Sequence, residues 1–227
     1  MADSDEWRVR KGSAGRRFSD RLVVQSGRPG ILELSVCLLA GGKSTPGGLG
    51  VFRLLAAACA SEGIRRDTGI VSWLHWPNLV TIDGRVVAKA SLSLAALDTA
   101  GKTQATIGIS VNCSAGNPSD FPSALPSTSI LEALGVEIDV DLLRDKILHA
   151  LYWYEAEWEG GMHRKLVERM RPTIAWLGQN VEVKTTSGQL LRGTAKRLDD
   201  LGSLLLEQSR KTRTLPPGGV ELVREVN

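Results

Sequence analysis

Three stretches of this 227-residue chain carry side chains whose types and spacing could do chemistry. The first is a glycine–arginine run. Residues 7–28 hold seven basic side chains (Arg8, Arg10, Lys11, Arg16, Arg17, Arg21, Arg28) against one acid, Asp20, and Gly12, Gly15, Gly27 and Gly30 punctuate the run. Glycine lets a backbone approach a phosphate, and guanidinium binds its oxygens bidentately. Taken alone, the run reads better as a solvated arm. The second stretch is His75-Trp76-Pro77-Asn78, set at a strand end before an Asp83-Gly84 turn. The third is Gly108-Ile109-Ser110-Val111-Asn112. A glycine among β-branched neighbours marks close backbone approach, either to a ligand or to another strand. Two other features fail as sites. Gly41-Gly42-Lys43-Ser44-Thr45 invites a phosphate-loop reading, but Cys37 stands where the first glycine should, and Pro46 stops the helix that should hold the phosphate. His75 has no Cys, His or carboxylate at metal-ligand spacing.

The second and third stretches resemble the biotin–protein ligases. That family reads Lys-Trp-Pro-Asn-Asp, several residues, then a Lys before a short strand. Here the Trp, Pro and Asn (Trp76, Pro77, Asn78), the Asp83-Gly84 hairpin and Val87-Ala88 match. The charged groups do not: the first Lys is His75, the Asp is Leu79, the second Lys is Val86, and the Gly after Val-Ala is Lys89. The family strand Gly-Ile-Gly-Ile-Asn-Val-Asn is matched by Thr106 to Asn112, with Ser110 at the Asn that faces the nucleotide. Ala14-Gly15-Arg16-Arg17-Phe18-Ser19-Asp20-Arg21 is similar to the loop that closes over ATP and biotinyl-adenylate, with two glycines and two middle arginines lost. Leu32 to Val36 and Pro126 to Gly135 also resemble family segments.

The resemblance implies ATP with Mg and biotin as ligands, bound by Gly15, Arg16, Arg17, Arg21, Trp76, Asn78, Gly108, Ser110 and Asn112. It implies ATP-dependent formation of biotinyl-adenylate and transfer to a carrier lysine. Lipoate or another acyl group is an alternative to biotin. The partner implied is a biotin carboxyl carrier protein, with room for a homodimer. The resemblance runs from residue 14 to about 225. The family's front segment, with its Ser-Thr-Asn biotin contact, is expected to be missing, as is a DNA-binding helix-turn-helix.

The altered charges bear on catalysis. Adenylation brings a carboxylate and a phosphate together, and a lysine between them contributes ~1.5–3 kcal/mol. Removing a transition-state donor costs about 10²–10³ in rate. No catalytic residue is therefore assigned, and Val86 marks the family lysine position. Val86 is expected to face an open polar cleft near Trp76, Gly108 and Ser110. Lys89, three residues on, is expected on the opposite face of the strand. The competing function is a non-catalytic binding or regulatory relative, or one subunit of a split ligase.

Composition bounds these readings. Hydrophobic content of 42% supports a core, and a net charge of +3 does not call for nucleic acid. Cys37, Cys59 and Cys113 are odd in number and far apart, which suits small buried thiols in a reducing compartment. No apolar run approaches the ~18 residues of a membrane helix, and the acidic start (Met1 to Glu6) is neither signal nor transit peptide. A cytoplasmic protein with no DNA or membrane partner is expected.

The elements that must position these groups follow from periodicity. Ile31 to Leu39 reads as a buried strand, and Asp83-Gly84 as a type I′ hairpin. A helix is predicted from Leu49 to Glu62, capped by Gly63, and a short one from Ser127 or Thr128 to Gly135. Asp139 should cap a long helix to Glu159, and a second helix should run from Met162 to Leu177. From Asn180 the period becomes two, with five short strands. The predicted fold is α+β: a mixed β-sheet with helices on one face (residues 1–177), then an SH3-like barrel (178–227).

Overall fold

Apolar alternation sets the strands of the computed structural model, which describes residues 6–8, 22–26, 29–40, 50–96, 103–114, 125–174, 176–209 and 211–226. Strands β1 (Glu6–Arg8), β2 (Leu22–Ser26), β3 (Ile31–Ala40), β4 (Trp73–His75), β5 (Leu79–Ile82), β6 (Arg85–Ala96) and β7 (Thr103–Asn112) form a sheet of order β1-β2-β3-β7-β6-β5-β4. Every neighbouring pair is antiparallel, which corrects the expected mixed sheet. The reason is connectivity. The sheet is two meanders, β1–β3 and β4–β7, joined side by side through β3 and β7, and consecutive paired strands return antiparallel unless a long crossover intervenes. The Asp83-Gly84 turn has positive φ at both residues (49° and 73°), as its type requires.

Between β3 and β4 the chain forms helix α1 (Val51–Thr68); α2 (Ile130–Leu134), α3 (Val140–Glu159) and α4 (His163–Met170) follow β7. Helix α1 lies on β5, β6 and β7, and α3 packs on α1. Sandwiched this way, α1 buries Leu54 through Ser61 without a break, as a helix apolar on all sides does. It runs past the predicted end to a left-handed cap at Gly69 (φ 75°), whose N–H donates to the Arg65 carbonyl. Gly63 serves packing instead. A Cβ there would lie 2.4 Å from Ile147 Cγ1 and 3.1 Å from the Ile147 backbone nitrogen of α3. Gly63→Ala should therefore destabilise the fold by about 1–3 kcal/mol through overpacking. That sign opposes the gain of about 1 kcal/mol that alanine gives in a free helix. Urea melts of the variant and parent check it.

The other helix ends are local. Asp139 caps α3 as predicted, accepting from the Asp141 and Leu142 amides. The cap of α2 is Ser129, one or two residues beyond the prediction; its Oγ accepts from the Glu132 amide at 3.0 Å. Helix α4 stops at Met170 and passes into a 3₁₀ turn, Arg171–Thr173, short of the predicted Leu177. Pro172 has no N–H to continue the α-helical ladder.

Strands β8 (Asn180–Thr185), β9 (Leu190–Leu198), β10 (Leu204–Gln208), β11 (Lys211–Leu215) and β12 (Val220–Glu225) are the five expected after residue 180. They form an antiparallel sheet of order β11-β10-β9-β8-β12, with β11 and β12 as its edges. Val181, Val183, Ala195, Leu204, Leu206 and Val220 join the same apolar core as α1 and α3. Among the described residues no helix is long and apolar enough to cross a membrane.

Candidate ligand-binding face

Alternation along β3, β6 and β7 divides the large sheet into two unlike faces. Leu32, Leu34 and Val36, Ala88 and Ala90, and Ile107, Ile109 and Val111 are buried on the side covered by α1. Register places Glu33, Ser110 and Lys89 in one row across the other face, and Ser35, Gly108 and Ser91 in the next. Ser91 is exposed and the remaining five are half-buried. Three predicted site residues thus share this polar face: Gly108, Ser110 and Asn112 stand at alternate positions of β7. A Cβ at Gly108 would lie 2.4 Å from Ser91 Oγ, so the neighbouring strand already crowds that position. Asn112 is 6% exposed. Its Nδ2 donates to the Thr128 carbonyl at 3.0 Å, while its Oδ1 accepts no hydrogen bond among the described residues.

Val86 corrects two expectations. It is fully buried, in a small apolar cluster with Ile31, Leu79 and Leu125, not facing an open cleft. Its amide donates to the Pro126 carbonyl at 2.7 Å, and its carbonyl accepts from the Thr128 amide at 2.9 Å. Residues 126–128 are thereby laid against β6 as one parallel bridge. The second correction concerns Lys89. Between β5 and β6, Thr81 pairs with Val86 but Val80 pairs with Ala88, so Val87 is an extra residue. Such a bulge shifts the alternation by one. Val87 and Ala88 both enter the main core, while Val86 and Lys89 lie on the same, polar side. A spacing of three, which on a regular strand means opposite faces, here means one face.

Trp76 and Asn78 stand elsewhere. Trp76 is fully buried between the two sheets: its Nε1–H donates to the Gly202 carbonyl at 2.9 Å, and its ring meets Trp176 edge-on at 6.4 Å. His75, at the end of β4, donates from Nε2 to the Val223 carbonyl of β12. Burial pushes its imidazole pKa below the ordinary value against the opposing pull of that carbonyl and of Glu225, so the ring is neutral near pH 7. Arg53 of α1 adds donors to the Pro217 and Val220 carbonyls. The His75-Trp76 pair therefore clamps the second sheet onto the first. Asn78 closes its own hairpin: its Nδ2 donates to the Ala90 carbonyl at 2.7 Å, and its carbonyl accepts from the Ala90 amide.

Gly15, Arg16, Arg17 and Arg21 lie outside the described residues, as do Gly41 to Thr45 and most of the loop after Ser114. Cys59 and Cys113 are buried free thiols, as expected. Burial pushes the Cys59 thiol pKa up and that of Cys113 up to about 11, so neither supplies a thiolate nucleophile. Among the described residues no group of three or more His, Cys, Asp or Glu side chains could hold a metal ion. Sequence reasoning missed Glu33, Ser35 and Ser91 as members of the face. The period-two pattern of Leu32-Glu33-Leu34-Ser35-Val36 was the signal that could have found the first two.

No family model matches the chain. The bifunctional ligase/repressor BirA of Bacillus subtilis (strain 168) is 29% identical over 174 residues, which cover 74% of this chain and 52% of that protein. The chain thus spans about half the length of the curated relative it matches. The structure of the biotin protein ligase from Aquifex aeolicus in complex with biotin and ATP matches with a TM-score of 0.71 at 19% identity, over 87% of this chain and 79% of that one. A biotin protein ligase-like protein of unknown function from Silicibacter sp. TM1040 matches with a TM-score of 0.70 at 14% identity, over 88% and 85%. The structural matches show the fold. Together with the sequence match they place the chain in a superfamily relationship with the biotin protein ligases.

Proposed function

We propose that this chain has a biotin ligase-like function, with biotin and ATP bound on the polar face of the seven-stranded sheet and their acyl-adenylate passed to a lysine of a carrier protein. The observation that carries the reading is the row of Gly108, Ser110 and Asn112 along β7, on the sheet face away from α1. In the first step a biotin carboxylate oxygen attacks the α-phosphorus of ATP and pyrophosphate leaves, with Mg accompanying the nucleotide. In the second the carrier amine, having lost a proton to solvent, attacks the acyl carbon and AMP leaves. Hydroxyls and an amide on the face supply neutral donors to the ligand. The sequence-matched loop of Gly15, Arg16, Arg17 and Arg21 supplies cationic ones. The chain divides after Leu177 in this reading, and the second sheet is an SH3-like barrel.

The rate is reduced in this proposal, because Val86, Leu79 and His75 replace three charged groups of the sequence pattern. The test measures calorimetric binding of biotin, of ATP and of a non-hydrolysable biotinyl-adenylate analogue, alongside pyrophosphate release. Binding of the analogue, with turnover about 10²–10³ below the ordinary enzyme median of about 10 s⁻¹, is the expected result. Failure to bind all three ligands would reject the reading. The second reading, a non-catalytic binding or regulatory relative or one subunit of a split ligase, is favoured by the same burial of Val86. It predicts binding without any pyrophosphate release from the chain alone.

A further inference from the structure

We propose that Lys89 is a cation of the polar face and binds the anionic group of the ligand, a carboxylate or a phosphate. The inference rests on the proposed ligand-binding role of this face and adds the residue that recognises charge there. The geometry is supplied by the bulge at Val87. Without it Lys89 would point at α1 and the core; with it, Lys89 joins Ser110 and Glu33 in one row of the polar face. Next to Lys89 along the strand is Ser91, and across from Ser91 is Gly108, which carries no side chain. A ligand lying along β7 would meet the Ser91 hydroxyl over Gly108, the Ser110 hydroxyl beside it, and an ammonium one strand away. Adjacent strands are about 4.8 Å apart, within the reach of a lysine side chain. Asn112, whose buried Oδ1 lacks a donor among the described residues, is the next polar group on the same strand face.

Half-burial suits this role. An ammonium in fully exposed water gains little from an anion, whereas a partly desolvated one gains a charge-assisted hydrogen bond. The competing use of Lys89 is a structural ion pair with Glu33 across Ser110. The two uses predict different signs. For a ligand anion, Glu33 is a like charge two strands from the cation, so its removal strengthens binding while removal of Lys89 weakens it. For a structural pair, removal of either one lowers stability and neither changes affinity.

The test is calorimetry with biotin and with ATP, separately, on the parent and on Lys89→Met, Lys89→Arg and Glu33→Gln, each with a thermal melt. Lys89→Met should weaken one probe by about tenfold or more. Lys89→Arg should keep most of that affinity, and Glu33→Gln should tighten the same probe. A loss confined to biotin identifies the anion as a carboxylate, and one confined to ATP as a phosphate. Unchanged affinity for both probes in Lys89→Met, with the parent binding normally, overturns this inference and leaves the proposed function standing. So does a fall in affinity in Glu33→Gln equal to that in Lys89→Met. A parent that binds neither probe overturns this inference, and one that also fails to bind the biotinyl-adenylate analogue overturns the proposed function as well.

Discussion

Val86→Lys should lower the unfolding free energy by about 3–5 kcal/mol, because it places an ammonium without a partner among Ile31, Leu79 and Leu125. Two backbone hydrogen bonds hold residues 126–128 against Val86, so the pocket opens only if that segment detaches. The lysine would relieve part of the cost by giving up its proton, which is the usual response to burial. For a chain of this size the loss corresponds to a fall in melting midpoint of about 10 °C. The measurement is a thermal melt paired with titration of a biotinyl-adenylate analogue. The expected outcome is a lower midpoint with no gain in affinity. A variant as stable as the parent that binds the analogue tenfold more tightly would show the opposite: that the segment lifts readily and that Val86 borders the ligand. The family pattern places a lysine here. The structure gives the position a valine packed against Ile31, Leu79 and Leu125.

The second large effect is expected at Trp76. Trp76→Ala should cost about 3–5 kcal/mol, since the ring is fully buried and a cavity would remain between the sheets. Loss of the indole N–H also leaves the Gly202 carbonyl without its donor. Trp76→Phe separates the contributions: it keeps most of the packing against Trp176 and removes the hydrogen bond, worth about 1 kcal/mol. Guanidinium titrations of both variants measure the two losses. Were Trp76 a ligand platform instead, Trp76→Ala would leave stability near that of the parent and abolish biotin binding.

Much of the architecture was legible in the sequence because it is decided within a few residues. Asp83-Gly84 adopts its turn because aspartate tolerates, and glycine favours, positive φ. Asp139 caps α3 because its carboxylate reaches amides two and three residues on. Alternation in β3 and β7 sorts buried from polar side chains, so the spacing of two puts Gly108, Ser110 and Asn112 on one face. The division between the helical region and the late strands showed as a change of period near residue 180.

Tertiary structure alone decided the rest. Gly63 looks like a helix stop, and it became a contact only because Ile147, far along the chain, crosses α1 there. Trp76 reads as a member of a ligand site and His75 as a strand-end histidine, yet their hydrogen bonds go to residues 126 and 148 positions away, at the β9–β10 turn and on β12. The most consequential case is the bulge. Nothing in Arg85-Val86-Val87-Ala88-Lys89 announces an extra residue, because valine and alanine fit either side of a strand. Whether Val87 pairs or bulges is settled by how β5 and α1 together fill the core, and that choice moves a lysine from one face of the sheet to the other. Local preference is a property of a residue and its neighbours in sequence. Facing direction, burial and partner depend on which distant surfaces meet, and only the packed chain determines them.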